Sequence, residues 1–315
     1  MMGREPEIRF RHQVVRDLAW VIASPGLLRS TAADRVSDHW CRIAFLDRLP
    51  WLRHLDRHPD ELKAWLSLHP SRLLGHYFEN LIAFWLEQWP QIQLLASRLP
   101  VPGEDRVLGE FDFLFLDRHT GETVHWECAV KFYLRKVVAR DGYEWLGPNP
   151  QDTLAKKYCK VFASQLKLAM LPEARRLLAQ RGIAPPVARA FIKGYLFYPA
   201  SGKWRESLPI PADGSAQHLR GWWCHADALE ALPCDADGHR WVVLQRQQWL
   251  SPALHCEPTP GYVRAALLEW LAHHFDTSER PVLLAHLYRA SDGLWRERDR
   301  GFVVPAHWPY AAARQ

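Results

Sequence analysis

"HWECAVKFYL", residues 125–134, decides how this chain is read. β-branched and aromatic residues crowd the stretch and neither Gly nor Pro interrupts it, which marks a strand. Side chains on a strand alternate between two faces. Trp126, Cys128, Val130, Phe132 and Leu134 then line an apolar face, and His125, Glu127, Ala129, Lys131 and Tyr133 line the other. A carboxylate and an ammonium on one side of so apolar a strand are either a structural ion pair or part of a site.

The neighbouring segments give that strand a setting. Upstream, "RVLGEFDFLFLD" alternates Glu110, Asp112, Leu114 and Leu116 with Phe111, Phe113 and Phe115. The turn sequence "RHTGE" joins it to the opening stretch as a hairpin. "QIQLLASRLPV" adds a strand before it. The first 90 residues are helical by period: "RHQVVRDLAWVIAS", "DHWCRIAFLDRL", "DELKAWLSL" and "SRLLGHYFENLIAFWLEQW" carry apolar residues at three- and four-residue spacing. In the last of these Glu79 sits beside the stripe of Leu74, Phe78, Leu81, Ile82 and Trp85. After the hairpin, "GPNPQD" reads as a helix start, with Asn149 at the N-cap and Pro150 at the first position, leading a helix over about 151–170. A short helix "PEARRLLAQRG" and a strand "VARAFIKGYLFYP" follow.

"LPIPADGSAQ", 208–217, has linker composition. Beyond it lie the strand candidates "GWWCH", "RWVVLQRQQWL", "RPVLLAHLY" and "GFVVPAHW", interrupted by one helix over about 261–275. The expected architecture is α/β. A mixed β-sheet core is flanked by helices, with a helical N-terminal region and a β-rich C-terminal appendage, divided into residues 1–205 and 206–315.

Composition sets outer bounds. The chain has 315 residues, 48% hydrophobic and 24% charged, in the range of a folded protein rather than a disordered one. A net charge of +5 permits a polyanionic partner without requiring one. Six cysteines form no CxxC pair, which suits free thiols in a reducing compartment. No apolar run approaches the roughly 20 residues of a membrane-spanning helix, and the expected location is cytoplasmic. Cys224, His225, Cys234, His239 and Cys256 match no standard zinc spacing. The sixteen tryptophans are read as core residues, with base stacking as the functional alternative.

Asp112 and Glu127 fall on adjacent strands, and Glu79 lies on the helix just upstream. Three carboxylates brought together repel one another unless a cation lies between them. An all-oxygen ligand set favours a hard divalent ion, Mg²⁺ or Mn²⁺. A lysine nearby stabilises charge on a phosphate or orients the attacking water. Carboxylates and a lysine brought together in this way suit metal-assisted phosphodiester hydrolysis.

On these residues the chain resembles the PD-(D/E)XK nuclease superfamily. More closely, "GHYFENLIAFWLE", "GEFDFLF", "HWECAVKFYL", "WLGPNPQDTLAKK" and "GYLFYP" resemble the DUF1853 family of bacterial proteins, assigned by fold to that superfamily. The resemblance implies a restriction-endonuclease-like core and a nucleic-acid partner. It implies that Asp112 and Glu127 are metal ligands, that Glu79 assists them, and that Cys128 offers its backbone carbonyl. The superfamily lysine stands two residues after the second acid, where this chain has Ala129; Lys131 is four residues on. A β-bulge or the long lysine stem would close part of that gap. Lys157 on the following helix is the substitute, and Gln165 resembles a glutamine that some members place there.

Bland readings stand beside each of these. Glu127 and Lys131 form a structural pair, Glu110 replaces Asp112 as the acid, Glu79 is a solvated helix residue, and Lys157 and Gln165 edge an apolar stripe. At the level of function, Mg²⁺-dependent nucleic-acid cleavage has two rivals. One is a nucleic-acid-binding module with a weakened site. The other is an interaction protein that uses its Trp-rich C-terminal half.

Overall fold

A computed structural model describes residues 10–29, 34–138, 142–201, 204, 210–229, 232, 239–256 and 261–309. The first four helices are α1 (Gln13–Ala23), α2 (Asp38–Arg57), α3 (Asp60–Leu68) and α4 (Leu74–Glu87). Their apolar stripes form one face of the core, and Phe78, Leu81, Ile82 and Trp85 of α4 are all buried there. Three antiparallel strands follow: β1 (Ile92–Pro102), β2 (Val107–Asp117) and β3 (Thr123–Val138). The β2–β3 turn is the expected one, and Gly121 supplies its positive φ of 74°.

β3 outgrows the quoted stretch. Its far end pairs with the short β4 (Gly142–Leu146), which the sequence reading lacked. Its other edge pairs in parallel with β5 (Val187–Pro199). Gly194 makes that pairing possible: its φ is +144°, and a Cβ there would overlap the carbonyl oxygen of Lys131. The alternation of residues 125–134 is observed. Trp126, Cys128, Val130, Phe132 and Leu134 lie in the core under the N-terminal helices. Tyr133 and Ala129 lie in a second core on the opposite face, with Leu154 and Val161.

The expected helix over 151–170 is two elements. α5 spans Leu154–Ala163, with Thr153 as N-cap accepting from Lys156 N at 3.2 Å. A 3-10 helix, Gln165–Met170, follows the break at Ser164, whose φ and ψ are −129° and −64°. Asn149 does not cap a helix: its side chain accepts from Gln151 N at 3.1 Å, which folds 149–152 into a turn. α6 (Pro172–Gln180) then packs with the 3-10 helix against β1 and β2, and Leu168, Ala174 and Leu178 are buried against Leu99, Phe111 and Leu114.

Beyond β5 come β6 (Leu219–His225), β7 (Arg240–Val243), β8 (Leu254–His255), α7 (Arg264–Thr277), β9 (Val282–Arg289) and β10 (Trp295–Val304). β7 is shorter than the expected 240–250 because a 3-10 turn, Arg246–Gln248, ends the extended run. The ten strands of the described residues belong to one sheet, ordered β1-β2-β3-β5-β6-β10-β9-β7, with β4 on β3 and β8 on β10. The C-terminal strands thus continue the sheet of the N-terminal half, through parallel β5–β6 and β6–β10 pairs. The expected boundary at 205–206 lies outside the described residues, as does Cys234.

Helices cover both faces of this mixed sheet. α1–α4 bury one face, and α5, α6 and α7 bury the other. The tryptophans serve the core as expected: Trp40 and Trp126 meet their tryptophan neighbours edge-on or tilted, Trp85 stacks on Trp89, and Trp126 stacks on Phe191 at 4.7 Å. Among the described residues no helix is long and apolar enough to cross a membrane.

Candidate metal and phosphate site

The β2–β3 ladder is short. It runs from Leu116↔Thr123 to Phe113↔Trp126 and stops there. Beyond that point β2 stays with β1 and β3 continues with β5, so the two strands part at Asp112 and Glu127. The alternation of β2 changes at the same place. Phe113 and Phe115 enter the main core, whereas Phe111 packs on the other side, edge-on to His125 at 4.9 Å. Asp112 fills the opening: its Oδ2 accepts from Cys128 N at 2.7 Å, where a ladder carbonyl would otherwise serve.

Glu127 is 1% exposed. Its Oε1 accepts from Lys157 Nζ at 3.2 Å; its Oε2 is buried with no N–H donor, and the carboxylate lies in hydrogen-bonding reach of the Asp112 carboxyl. Lys157 also reaches Gln165 Oε1 at 3.4 Å. α5 delivers Lys157 one turn after its N-cap, and the break at Ser164 lets Gln165 turn back toward it. Gly109 seats the 3-10 helix that carries Gln165: a Cβ there would come within 2.8 Å of Leu168 Cδ1.

Charge at this site is unbalanced. Burial, then the neighbouring Glu127, pushes the Asp112 carboxyl up to about 8, against the opposing pull of the Cys128 N–H. Burial also raises Glu127, opposed chiefly by Lys157. Burial and the negative charges of Asp112, Glu127 and Glu79 hold the Cys128 thiol protonated. The environment therefore favours either a proton or a cation on this carboxylate pair.

Glu79 lies within electrostatic reach of Asp112 but is turned to another partner. Arg98 of β1 donates to Glu79 Oε2 at 2.9 Å and to Asn80 Oδ1 at 2.8 Å. Arg98 adopts φ +48°, rare for a residue with a Cβ. It sits between the pairs Ser97↔Phe113 and Leu99↔Phe111, opposite Asp112. Among the described residues no group of three His, Cys, Asp or Glu side chains stands ready to hold a metal ion.

Lys131 stands apart from the carboxylate pair. Its Nζ lies 2.6 Å from Asp152 Oδ2, and Tyr133 donates to the other oxygen of Asp152 at 3.3 Å. The Glu127–Lys131 pair considered from sequence is not formed; Lys157 holds Glu127 instead. The structure thus gathers Asp112, Glu127, Lys157 and Gln165, keeps Glu79 at the margin on Arg98, and ties Lys131 to Asp152. Arg98 escaped the sequence reading because an arginine in a strand looks like any solvated residue. Asp152 belongs to the helix-start sequence "GPNPQD", which gives no sign that it meets Lys131 and Tyr133.

A sequence model of the family described as "Domain of unknown function (DUF1853)" matches residues 16–304, and the chain belongs to that family. No curated protein and no solved structure matches it.

Proposed function

We propose that this member of the DUF1853 family is a divalent-metal-dependent nuclease, hydrolysing phosphodiester bonds at the parting of β2 and β3. The observation that carries the reading is the buried Glu127 carboxylate, held by Lys157 on one oxygen and set in hydrogen-bonding reach of a second carboxyl, Asp112, with no N–H donor for its other oxygen. A structural carboxylate so placed is costly, because buried polar atoms are normally satisfied. A hard cation accounts for it, and oxygen donors from Asp112 and Glu127 fit Mg²⁺ or Mn²⁺. The resemblance to the PD-(D/E)XK superfamily supports the same assignment.

Asp112 and Glu127 would hold the ion, with the Cys128 carbonyl available beside them. The ion would supply positive charge and lower the pKa of a bound water. Lys157 presents its ammonium at Glu127, where it counters charge building on a phosphate. Gln165 fixes the lysine from the other side. Lys131 is assigned no contact with the reacting phosphate, given its bond to Asp152.

One observation favours the binding-module reading: the ammonium at the site comes from α5 and not from the strand position where the superfamily carries it. The interaction-protein reading draws less support, because Trp222, Trp223, Trp241, Trp295 and Trp308 are buried.

The test is cleavage of plasmid, linear DNA and RNA with Mn²⁺. The wild type should cut at least one substrate, Glu127→Ala should cut none, and Lys157→Met should lose about 10²–10³-fold in rate. Salt-sensitive binding without cleavage would move the assignment to the binding module, and neither binding nor cleavage would remove nucleic acid from it.

A further inference from the structure

The left-handed backbone of Arg98 has no turn to explain it. β1 runs through this residue, pairing with β2 on either side of it. A non-glycine residue in this conformation is strained and persists where its surroundings hold it. Here α4 holds it. The guanidinium meets Glu79 Oε2, Asn80 Oδ1 and, at 3.5 Å, the carbonyl of His76. Asn80 is itself fixed, being buried and donating to His69 O at 2.7 Å. The arginine is thus aimed at the one acid of the trio that does not touch the other two.

Resting on the nuclease reading, we infer that Arg98 is a positioning residue that withholds Glu79 from the metal site until a phosphodiester engages its guanidinium. With Arg98 on Glu79, the ion meets two protein carboxylates. A phosphodiester anion arriving opposite Asp112 competes for the same guanidinium, which forms strong paired bonds to phosphate. Glu79 is then released toward Asp112 and Glu127 and strengthens the hold on the ion. Arg98 is 42% exposed, so an anion reaches it from solvent, whereas the Glu79 side chain is 19% exposed. The consequence is reciprocal coupling: phosphodiester tightens metal binding, and metal tightens phosphodiester binding by the same factor.

Mn²⁺ binding by titration calorimetry tests this without turnover. Arg98→Gln should bind Mn²⁺ more tightly than the wild type, by about fivefold or more, the lower end of typical coupling. Glu79→Gln alone should bind nearly as the wild type does. In the Glu79→Gln background, Arg98→Gln should change the affinity less than about twofold, because the released carboxylate is gone. Dimethyl phosphate, a slowly hydrolysed phosphodiester, should tighten Mn²⁺ binding to the wild type and leave Arg98→Gln unaffected. An Arg98→Gln protein that is folded by circular dichroism yet binds Mn²⁺ no better than the wild type overturns the inference. So does equal tightening with and without Glu79, which would mean removal of a positive charge and nothing more. If the wild type binds no Mn²⁺, the nuclease reading falls and this inference with it.

Discussion

Two regions of the protein that bury acids treat them in opposite ways. At the junction of α1 with the C-terminal half, Asp17 is fully buried and saturated. It accepts from Ser251 N at 3.1 Å, Ser251 Oγ at 2.5 Å and Tyr77 Oη at 2.9 Å. Close by, Arg300 is 1% exposed, forks onto Glu297 at 2.6 and 2.8 Å, and donates to the carbonyls of Trp249 and Ser251. At the parting of β2 and β3, by contrast, the Glu127 and Asp112 carboxyls are set against each other, with the Lys157 ammonium and the Cys128 N–H as their further donors. A buried network completed within the chain fixes structure. On the proposed function, the carboxylate pair is instead where the metal ion would bind.

The contrast breaks most readily at Arg300. Arg300→Met should destabilise the protein by about 3–5 kcal/mol in urea unfolding, because Glu297 is left charged and buried. A loss below about 1 kcal/mol would mean that this network is no more structural than the site.

Asp112→Asn should act in the other direction. The raised Asp112 carboxyl keeps its proton in the folded state between about pH 4 and 8, where the unfolded chain has already lost it. Stability therefore falls as pH rises through that window, and the penalty is complete above about pH 8. In the presence of a chelator, Asp112→Asn should stabilise the protein by about 1–2 kcal/mol at pH 9, discounted from the full shift because the carboxyl is partly exposed. The gain should vanish near pH 4. Saturating Mn²⁺ should reverse the order of the two proteins, because the wild type gains stability from a ligand that the variant binds poorly. Thermal melts across pH, with and without Mn²⁺, would show both signs; a variant that is less stable throughout would place Asp112 with the structural acids.

The smallest effect belongs to Lys131. Its pair with Asp152 is about a third exposed on both sides, so a double-mutant cycle with Lys131→Met and Asp152→Asn should give only about 0.2–1 kcal/mol of coupling. Mn²⁺ affinity should be the same in Lys131→Met as in the wild type. A lost or weakened Mn²⁺ response would bring Lys131 back to the site.

Much of the frame was legible in the sequence because period carries it. The alternation of residues 125–134 located both cores, and α3 and β5 fall where their patterns put them. Asp112 and Glu127 were legible as a pair because a tight turn sets the register of the hairpin. Other features were not legible, each for a local reason. The start of α5 slipped from Pro150 to Leu154 because Thr153 caps better placed N–H groups while Asn149 is spent on a turn. Lys131 does share a face with Glu127, but a face is long, and only the turn at 149–152 shows which acid lies above the lysine. Arg98 carries no mark at all, because nothing in its own residue type announces a left-handed backbone.

The strand order has a meaning for how the chain is made. β10, the last strand in chain order among the described residues, is not at an edge; it lies between β6 and β9, parallel to the first and antiparallel to the second. Until residues 295–304 have left the ribosome, β6 has no partner on that side and β9 has lost its longer ladder. The growing chain therefore carries open strand edges late into synthesis, the surfaces that invite pairing with another chain. A fragment cut near residue 205 would make the same exposure permanent by stripping β6 from β5. The carboxylate site lies in the first half of the chain, yet the sheet that shapes it is joined across its middle only when β10 arrives.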